Sequence, residues 1–355
     1  MRVVVVGASG NLGTAILRRF RADSTITSVV GVARRAPRQA PPPPYDVAEW
    51  VACDISARND DEETVLRTLS DAFAGAAAVV HLAWAIQPSH ARAYQRQVNV
   101  EGTRRVVEAA RRAGVPHVVV ASSVGVYGPA VDDDLHDELF PAVGVPSSRY
   151  SVDKAAQERV LDEAEEAHPD LAIARLRPAL VFQRAAGNEI KGIFLGPFVP
   201  ARLLDGRLPV LPWPRAVRVQ AVHADDLAEA AREAVVRQVR GAFNLAGPGI
   251  LRGPDVAAVL SQAKIREVPR PVARAALSAA WHARVAPIDP GWLDLAGSVP
   301  LLDTSRAEEI LAWRPRYTAV QALQEVVEGM AQGVGTASPP LTPRRGRFVR
   351  ETTDA

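Results

Sequence analysis

The sequence predicts an α/β protein built on a doubly wound parallel sheet, with a smaller, mostly C-terminal subdomain beside it. Three observations carry that prediction. Apolar β-branched runs alternate with helical patterns through the first two-thirds of the chain, as βαβ units do. The runs are continuously apolar, which suits strands covered on both faces. A glycine-rich turn, from Gly7 to Gly13, follows the first run directly and opens a helix.

In chain order, strands are expected at residues 3–6, 26–33, 50–53, 78–82, 117–121 and 172–176. Helices are expected between them at 11–21, 62–73, 91–113 and 149–167. Residues 41–44 are consecutive prolines and read as a stiff polyproline surface loop. Past Pro178 the pattern turns irregular and proline-rich. A helix at 225–236, with Asp225 and Asp226 near its positive end, and a returning strand at 241–246 follow. The last helices are expected at 305–312 and 319–331. Residues 1–177, with 219–247 returning, therefore read as a dinucleotide-binding domain. Residues 178–218 and 248–332 read as a substrate-binding subdomain, and 333–355, rich in Pro, Arg, Gly and Thr, as a disordered tail.

Composition narrows the function. The chain has 355 residues, 48% hydrophobic and 23% charged, ordinary for a soluble globular protein. A formal net charge of +2 gives no case for nucleic acid. The single cysteine, Cys53, forms neither an internal disulfide nor a cysteine-based metal site. The histidines are scattered, and His81, His117 and His223 on strands read as satisfied core residues. Met1 leads straight into the first strand, and no apolar run reaches the length of a membrane span. A soluble, cytoplasmic protein is expected.

The turn Gly7-x-x-Gly10-x-x-Gly13 has a mechanical reading. The first glycine permits the tight turn, the second lets backbone approach a pyrophosphate, and the third lets helix and strand pack closely. Ser9, Asn11 and Leu12 complete the loop, and the helix N-terminus presents free N–H groups to a diphosphate. The fold expected is thus a Rossmann sheet. The second strand ends with Ala33 where an acid would bind a ribose 2′-hydroxyl, and Arg34 and Arg35 follow. Guanidinium groups suit a 2′-phosphate, which points to NADP, with NAD the alternative. The competing reading is two solvated arginines in an arginine-rich chain.

Tyr150 and Lys154 are spaced at i and i+4, on one face of a helix, and Lys154 is one of only three lysines in the chain. An ammonium beside a phenol is expected to lower its pKa towards neutrality, so that the phenol exchanges a proton with a carbinol as hydride moves. Ser123, just past the fifth strand, is placed to hold the substrate oxygen. Asn99 reads two ways: shaping the Lys154 network through water, or satisfying a core carbonyl.

Nine segments then occur in one order: VVGASGNLG, CDIS at Asp54, HLAW at His81, VNVEGT at Asn99, SSVGVYG, YSVDK, LRPALVF, VHADDLAEA and FNLAG. Over roughly residues 1–330 the chain resembles the extended branch of the short-chain dehydrogenase/reductase superfamily, also called the NAD-dependent epimerase/dehydratase family. The resemblance implies Ser123, Tyr150 and Lys154 as catalytic, with Asn99 supporting. It implies Asp54 and Ile55 at the adenine, Leu82 and Ala83 along the cofactor, and Pro178 near the nicotinamide. It also implies a possible homodimer through the helices at 91–113 and 149–167, whose alternative role is to cover the sheet.

Several positions depart from the family pattern. Trp84 stands where a small residue is usual, Asp153 where serine is usual, and Phe182 where tyrosine is usual. Val219 stands where nucleotide-sugar members carry an arginine, and Arg218 beside it would point the other way on a strand. The Trp213 cluster with Pro212 and Pro214 reads as an apolar pocket wall or as loop packing. The expectation is an NADP(H)-dependent ketone/alcohol oxidoreductase acting on a small metabolite. A nucleotide-sugar epimerase or dehydratase and a non-catalytic dinucleotide sensor are the alternatives.

Overall fold

The computed structural model describes residues 1–37, 41–86, 91–130, 132–196, 209–215, 217–260 and 264–344. The first half comprises β1 (Arg2–Val6), α1 (Asn11–Arg21), β2 (Ser28–Ala33), β3 (Ala48–Ala52), α2 (Glu62–Phe73) and β4 (Ala78–His81). It continues with α3 (Arg92–Arg96), α4 (Gly102–Arg112), β5 (His117–Ala121), β6 (Leu135–His136), α5 (Arg149–Ala167) and β7 (Ala172–Pro178). The second half opens with β8 (Leu180–Phe182), α6 (Gly187–Phe194), β9 (Val210–Pro214), β10 (Ala221–His223), α7 (Ala224–Arg237) and β11 (Gly241–Leu245). It closes with α8 (Gly253–Val259), β12 (Lys264–Val268), α9 (Arg270–His282), α10 (Pro290–Ala296), β13 (Leu301–Leu302), α11 (Ser305–Ile310) and α12 (Ala319–Gln332).

Seven strands form one parallel sheet in the order β3-β2-β1-β4-β5-β7-β11. This is the doubly wound Rossmann arrangement expected from the sequence. Val3 of β1 pairs with Val29 on one side and Ala78 on the other, so strand order reverses at β1 and opens a crevice beyond the carboxyl ends. Alternate residues of β1 serve opposite layers. Val3 and Val5 pack with Leu17 and Phe20 of α1 and Leu227 of α7; Val4 and Val6 pack with Leu69 and Phe73 of α2 and Val106 of α4. Each large apolar side chain so buried stabilises the fold by about 1.5–3 kcal/mol.

The expected helix at 91–113 is realised with an insertion. A π turn, Gln97–Glu101, joins α3 to α4 and carries the buried Asn99. α5 begins where Ser148 accepts a hydrogen bond from the Ser151 N–H at 3.4 Å. A buried polar cluster fixes α5 against the sheet. Glu158 of α5 accepts from Arg177 Nε of β7 at 2.9 Å and from Ser122 Oγ at 2.5 Å. Arg177 Nη1 also donates to the Tyr127 phenol at 2.9 Å, and that phenol donates to Asn244 of β11 at 2.6 Å. Removing one partner would strand a buried charge at a cost of about 3–5 kcal/mol.

Three features differ from the sequence expectation. The proline run is not an extended polyproline segment: the Tyr45 N–H bonds back to the Pro42 carbonyl at 3.0 Å, and Pro44 is buried beside Tyr45. The segment past Pro178 contains three small parallel ladders, β8 with β10, β9 with β12 and β6 with β13, whose partners lie too far apart in sequence to leave a local signal. The tail expected to be disordered from Gly333 packs on the domain as far as Arg344. Leu341 is fully buried, the Thr336 hydroxyl hydrogen-bonds the Tyr45 phenol at 2.6 Å, and Ser338 Oγ donates to the Ser9 carbonyl. Residues 345–355 lie outside the described residues.

Candidate active site

The crevice deepens into a cleft of about 680 Å³ that runs from the glycine turn to α10. Every cofactor-facing residue expected from the sequence lines it, from Gly7, Ser9, Gly10, Asn11, Leu12 and Gly13 to Arg34, Arg35, Asp54, Ile55, Leu82, Ala83 and Pro178. Ser123, Tyr150 and Lys154 line it too.

The glycine turn fits a dinucleotide. Gly7 has φ +93°, and a Cβ there would lie 2.7 Å from the Ala83 nitrogen. A Cβ on Gly13 would lie 2.4 Å from the Ala8 carbonyl oxygen, so only glycine lets α1 rest on β1. No side chain caps α1, and its first turn carries no acid. Its end is therefore a positive, open anion site. Gln183 fastens the loop from the other wall, donating to the Asn11 carbonyl at 2.8 Å. At the far end Arg34 donates to the Tyr94 hydroxyl, and neither Arg34 nor Arg35 forms an ion pair among the described residues. Asp54 lines the cleft while its carboxylate accepts from the Ser56 N–H at 3.0 Å, a bond that starts the turn after β3.

The catalytic candidates meet at the carboxyl edge of β5. Ser123 accepts from the Gly125 N–H at 3.0 Å, and the absent side chain of Gly125 makes room for the Tyr150 ring. A Cβ there would approach that ring to 2.8 Å. Lys154 Nζ donates to the Ala121 carbonyl at 2.8 Å and to Gln157 Oε1 at 3.0 Å. It also lies 3.6 Å from the centre of the Trp84 ring, a cation–π contact. Burial pulls the Lys154 ammonium down to about 7, against the opposing pull of Glu158 and Asp153.

Tyr150 does not behave as the spacing with Lys154 implied. Burial pushes the phenol up to about 12, with the Ser123 hydroxyl drawing it down. The Lys154 charge is turned onto Trp84, Ala121 and Gln157, so the protein's own groups keep the phenol protonated.

Asn99 is not on the cleft wall. Its Oδ1 accepts from the Ala85 N–H at 2.7 Å and its Nδ2 donates to the Ala85 carbonyl at 3.4 Å, so it fixes the strand exit beside Trp84. A buried chain runs behind it. Gln157 Nε2 donates to Thr103 Oγ1 at 3.1 Å, Thr103 donates to the Asn99 carbonyl at 2.8 Å, and His81 Nε2 meets Thr103 at 3.0 Å. With the hydroxyl proton given to Asn99, His81 must donate from Nε2. Burial, then the Lys154 charge, pushes His81 down to about 3, so it is a neutral core histidine. His117 and His223 are likewise spoken for, by the Val239 carbonyl and by Glu325.

Asp153 is neither solvent-facing nor free: it is buried and paired with Arg92. Asp225 and Asp226 serve the helix end and its neighbours; Asp225 pairs with Arg18 at 2.6 Å, and Asp226 accepts from the Arg316 and Tyr317 N–H groups at 3.0 Å. Arg218 is buried and held by Asp133 at 2.7 Å, so it presents no free charge beside Val219.

The substrate end is aromatic. Tyr150 packs edge-on to Trp84 with centroids 5.7 Å apart, and against Trp292 of α10 at 4.8 Å; Trp292 meets Phe194 of α6 at 5.2 Å. Trp213 also lines the cleft, without Pro212 or Pro214, and its indole N–H donates to the Val217 carbonyl at 3.1 Å, so its cluster serves both pocket wall and loop packing. Trp292, Phe194, Gln183 and Glu189 were missed by sequence reasoning. No local pattern marks them, because they come together only through the fold.

Comparison with known proteins places the chain. A model of the NAD dependent epimerase/dehydratase family matches residues 3–246. The chain belongs to that family. It is 30% identical over 253 residues to the 3-diazoavenalumate denitrifying reductase of a Streptomyces species, covering 69% of this chain and 75% of that one. It is 28% identical over 196 residues to the decarboxylating sterol-4-alpha-carboxylate 3-dehydrogenase of Saccharomyces cerevisiae, covering 54% of each. An uncharacterized Mycobacterium tuberculosis protein is 27% identical over 338 residues, which is 94% of this chain but only 31% of that protein's length. Among solved structures, the Thermus thermophilus UDP-glucose 4-epimerase complex with NAD superposes with a TM-score of 0.66 at 20% identity, covering 93% of this chain and 99% of that one. Among the described residues no helix is long and apolar enough to cross a membrane, and no cluster of His, Cys, Asp or Glu forms a metal site.

Proposed function

We propose that the protein is an NADP(H)-dependent oxidoreductase that reduces a ketone, or oxidises the corresponding alcohol, of a largely apolar small molecule. The carrying observation is the convergence of Ser123, Tyr150 and Lys154 on one cleft with the glycine turn. A bound nicotinamide dinucleotide would supply or accept the hydride. Gly7, Gly10 and Gly13 would hold its diphosphate, and Asp54 and Ile55 would flank its adenine. Arg34 and Arg35 stand uncompensated at the end of β2, where no acid follows Ala33, and this supports a 2′-phosphate over a free hydroxyl.

The protein's residues handle the proton. Ser123 would hold the substrate oxygen, and Tyr150, protonated at neutral pH, would donate to that oxygen as the carbonyl carbon gains hydride. Solvent then restores the phenol. Lys154, whose ammonium burial pulls down to about 7, anchors α5 to the Ala121 carbonyl. The relatives named as a reductase and a dehydrogenase support redox chemistry. The engaged Arg218 argues against a nucleotide-diphosphate substrate, for which the substrate end has no free cation among the described residues.

Tyr150→Phe should lower turnover by about 10²- to 10⁴-fold. NADPH binding, followed by its fluorescence, should persist. Unchanged turnover removes the acid–base role, and retained tight NAD with no net reduction of ketones would favour the epimerase reading.

A further inference from the structure

One carboxylate interrupts the apolar wall of the substrate end. Glu189 lies in the first turn of α6, the helix that also sends Ile190, Ile193 and Phe194 to the cleft. Ile193 is one helical turn on from Glu189, so the two share a face. Phe194 touches Trp292, and Trp292 packs on Tyr150, so α6 belongs to the wall beside the reacting phenol.

Glu189 has no partner among the described residues. Desolvation alone acts on it, and it pushes the carboxyl up to about 7. A glutamate at this helix position ordinarily caps the helix. Here the Ala186 N–H bonds to the Gln183 carbonyl at 3.2 Å instead, and no side chain caps α6. Among the described residues, the cations on and just before α6 are engaged elsewhere. Lys191 donates to the Gly196 carbonyl at 3.3 Å, and Arg184 to Gln332 at 2.6 Å. An unpaired carboxyl in an apolar wall is costly to the fold. It offers nothing to packing, and its open side is the cleft.

We propose that Glu189 is a substrate-recognition residue, and that the substrate is an apolar ketone or alcohol bearing a second group, ammonium or hydroxyl, that donates a hydrogen bond to it. This rests on the proposed hydride transfer for the reacting end of the substrate only. It also fits the cleft's charge, since a substrate carrying an anion would meet Glu189 with no free cation beside it among the described residues.

Three matched probes test it: 4-phenyl-2-butanone and its para-aminomethyl and para-hydroxymethyl derivatives. Binding to NADP-loaded protein is read from quenching of tryptophan fluorescence, which Trp84 and Trp292 report from the cleft wall. At least one derivative should bind about 10-fold tighter than the parent, and Glu189→Gln should level the series to within about 2-fold. Preference for the aminomethyl probe identifies an ammonium, and preference for the hydroxymethyl probe alone a hydroxyl. Equal binding of all three, binding by none, or a preference that survives in Glu189→Gln overturns the proposal. Discrimination in binding without turnover would sink the hydride-transfer reading and leave this one standing.

A second measurement needs no ligand. Between 4.5 and about 7 the unfolded glutamate is ionised while the folded one stays protonated, so folded stability falls as pH rises through that window. Glu189→Gln lacks this loss and should gain melting temperature relative to the parent across it, then run parallel above. A difference that stays flat through the window means that Glu189 is paired in solution, and overturns the proposal.

Discussion

The two ends of the cleft are built by different means. The dinucleotide end is made of backbone. Gly7 and Gly13 bring main chain within van der Waals range of main chain, and α1 offers its uncapped N-terminus. The substrate end is made of side chains drawn from distant segments: Trp84 after β4, Tyr150 on α5, Phe194 on α6 and Trp292 on α10. Backbone geometry restricts the residue type at each position, whereas an aromatic wall tolerates many sequences of similar volume. The dinucleotide end is therefore rigid in chemistry, and on the proposed function the aromatic end is where specificity would be set.

The sharpest break in that contrast is within the glycine turn. Gly13→Ala puts a methyl group 2.4 Å from the Ala8 carbonyl oxygen, so backbone must move. Overpacking of this kind costs about 1–3 kcal/mol, and melting temperature and NADPH affinity should fall together. At Gly10 a Cβ meets only the Gly7 carbonyl oxygen, at 3.4 Å. Gly10→Ala should keep its melting temperature and lose dinucleotide affinity, because the methyl occupies the diphosphate's approach. Equal thermal loss in both variants would show that the turn is structural throughout. Calorimetry beside NADPH titration separates the cases.

The same contrast explains what could be read from the sequence. The parallel sheet, its helices and the glycine turn were legible because their signals are local: apolar runs, helical spacing and fixed glycine offsets. Helices α1, α2 and α5 start and stop where the pattern placed them. The pairing of Tyr150 with Lys154 was legible as spacing but not as electrostatics. Spacing put the ammonium beside the phenol, and the fold turned it onto Trp84, a residue visible only as a departure from pattern. The segment from Gly333 to Arg344 has a disordered composition, yet Leu341 finds a pocket and Ser338 finds the glycine turn. Nothing local encodes a partner more than three hundred residues away. Trp292 and Glu189 were invisible for the same reason.

A smaller effect is expected at the aromatic wall. Trp292→Ala removes the ring packed on Tyr150 and the edge that meets Phe194. Aromatic pairs contribute about 0.5–1.5 kcal/mol each beyond area burial, so the KM for an aryl ketone should rise by roughly 10-fold. NADPH affinity should stay within about 2-fold, since distant independent sites add. A parallel loss of cofactor affinity would mean that the two ends are one mechanical unit, and the contrast drawn above would fail.

The smallest effect, and the one that sharpens the dinucleotide end, is at Arg34 and Arg35. Both guanidinium groups are exposed, so each contributes only on the scale of surface ion pairs, about 0.2–1 kcal/mol. Arg34→Ala and Arg35→Ala should each weaken NADPH binding by roughly 2- to 5-fold and leave NADH binding unchanged, as equilibrium titration with each cofactor would measure. Arg34 should give the larger loss, because the Tyr94 hydroxyl already holds its side chain in place and less freedom is lost on binding. Salt offers an independent check. Screening weakens exposed charge pairs, so the NADPH preference of the parent should shrink as ionic strength rises, and that of the double variant should not. If NADH and NADPH respond alike to both substitutions, the arginines are solvated surface groups, and the backbone cradle alone holds the dinucleotide without distinguishing its ribose.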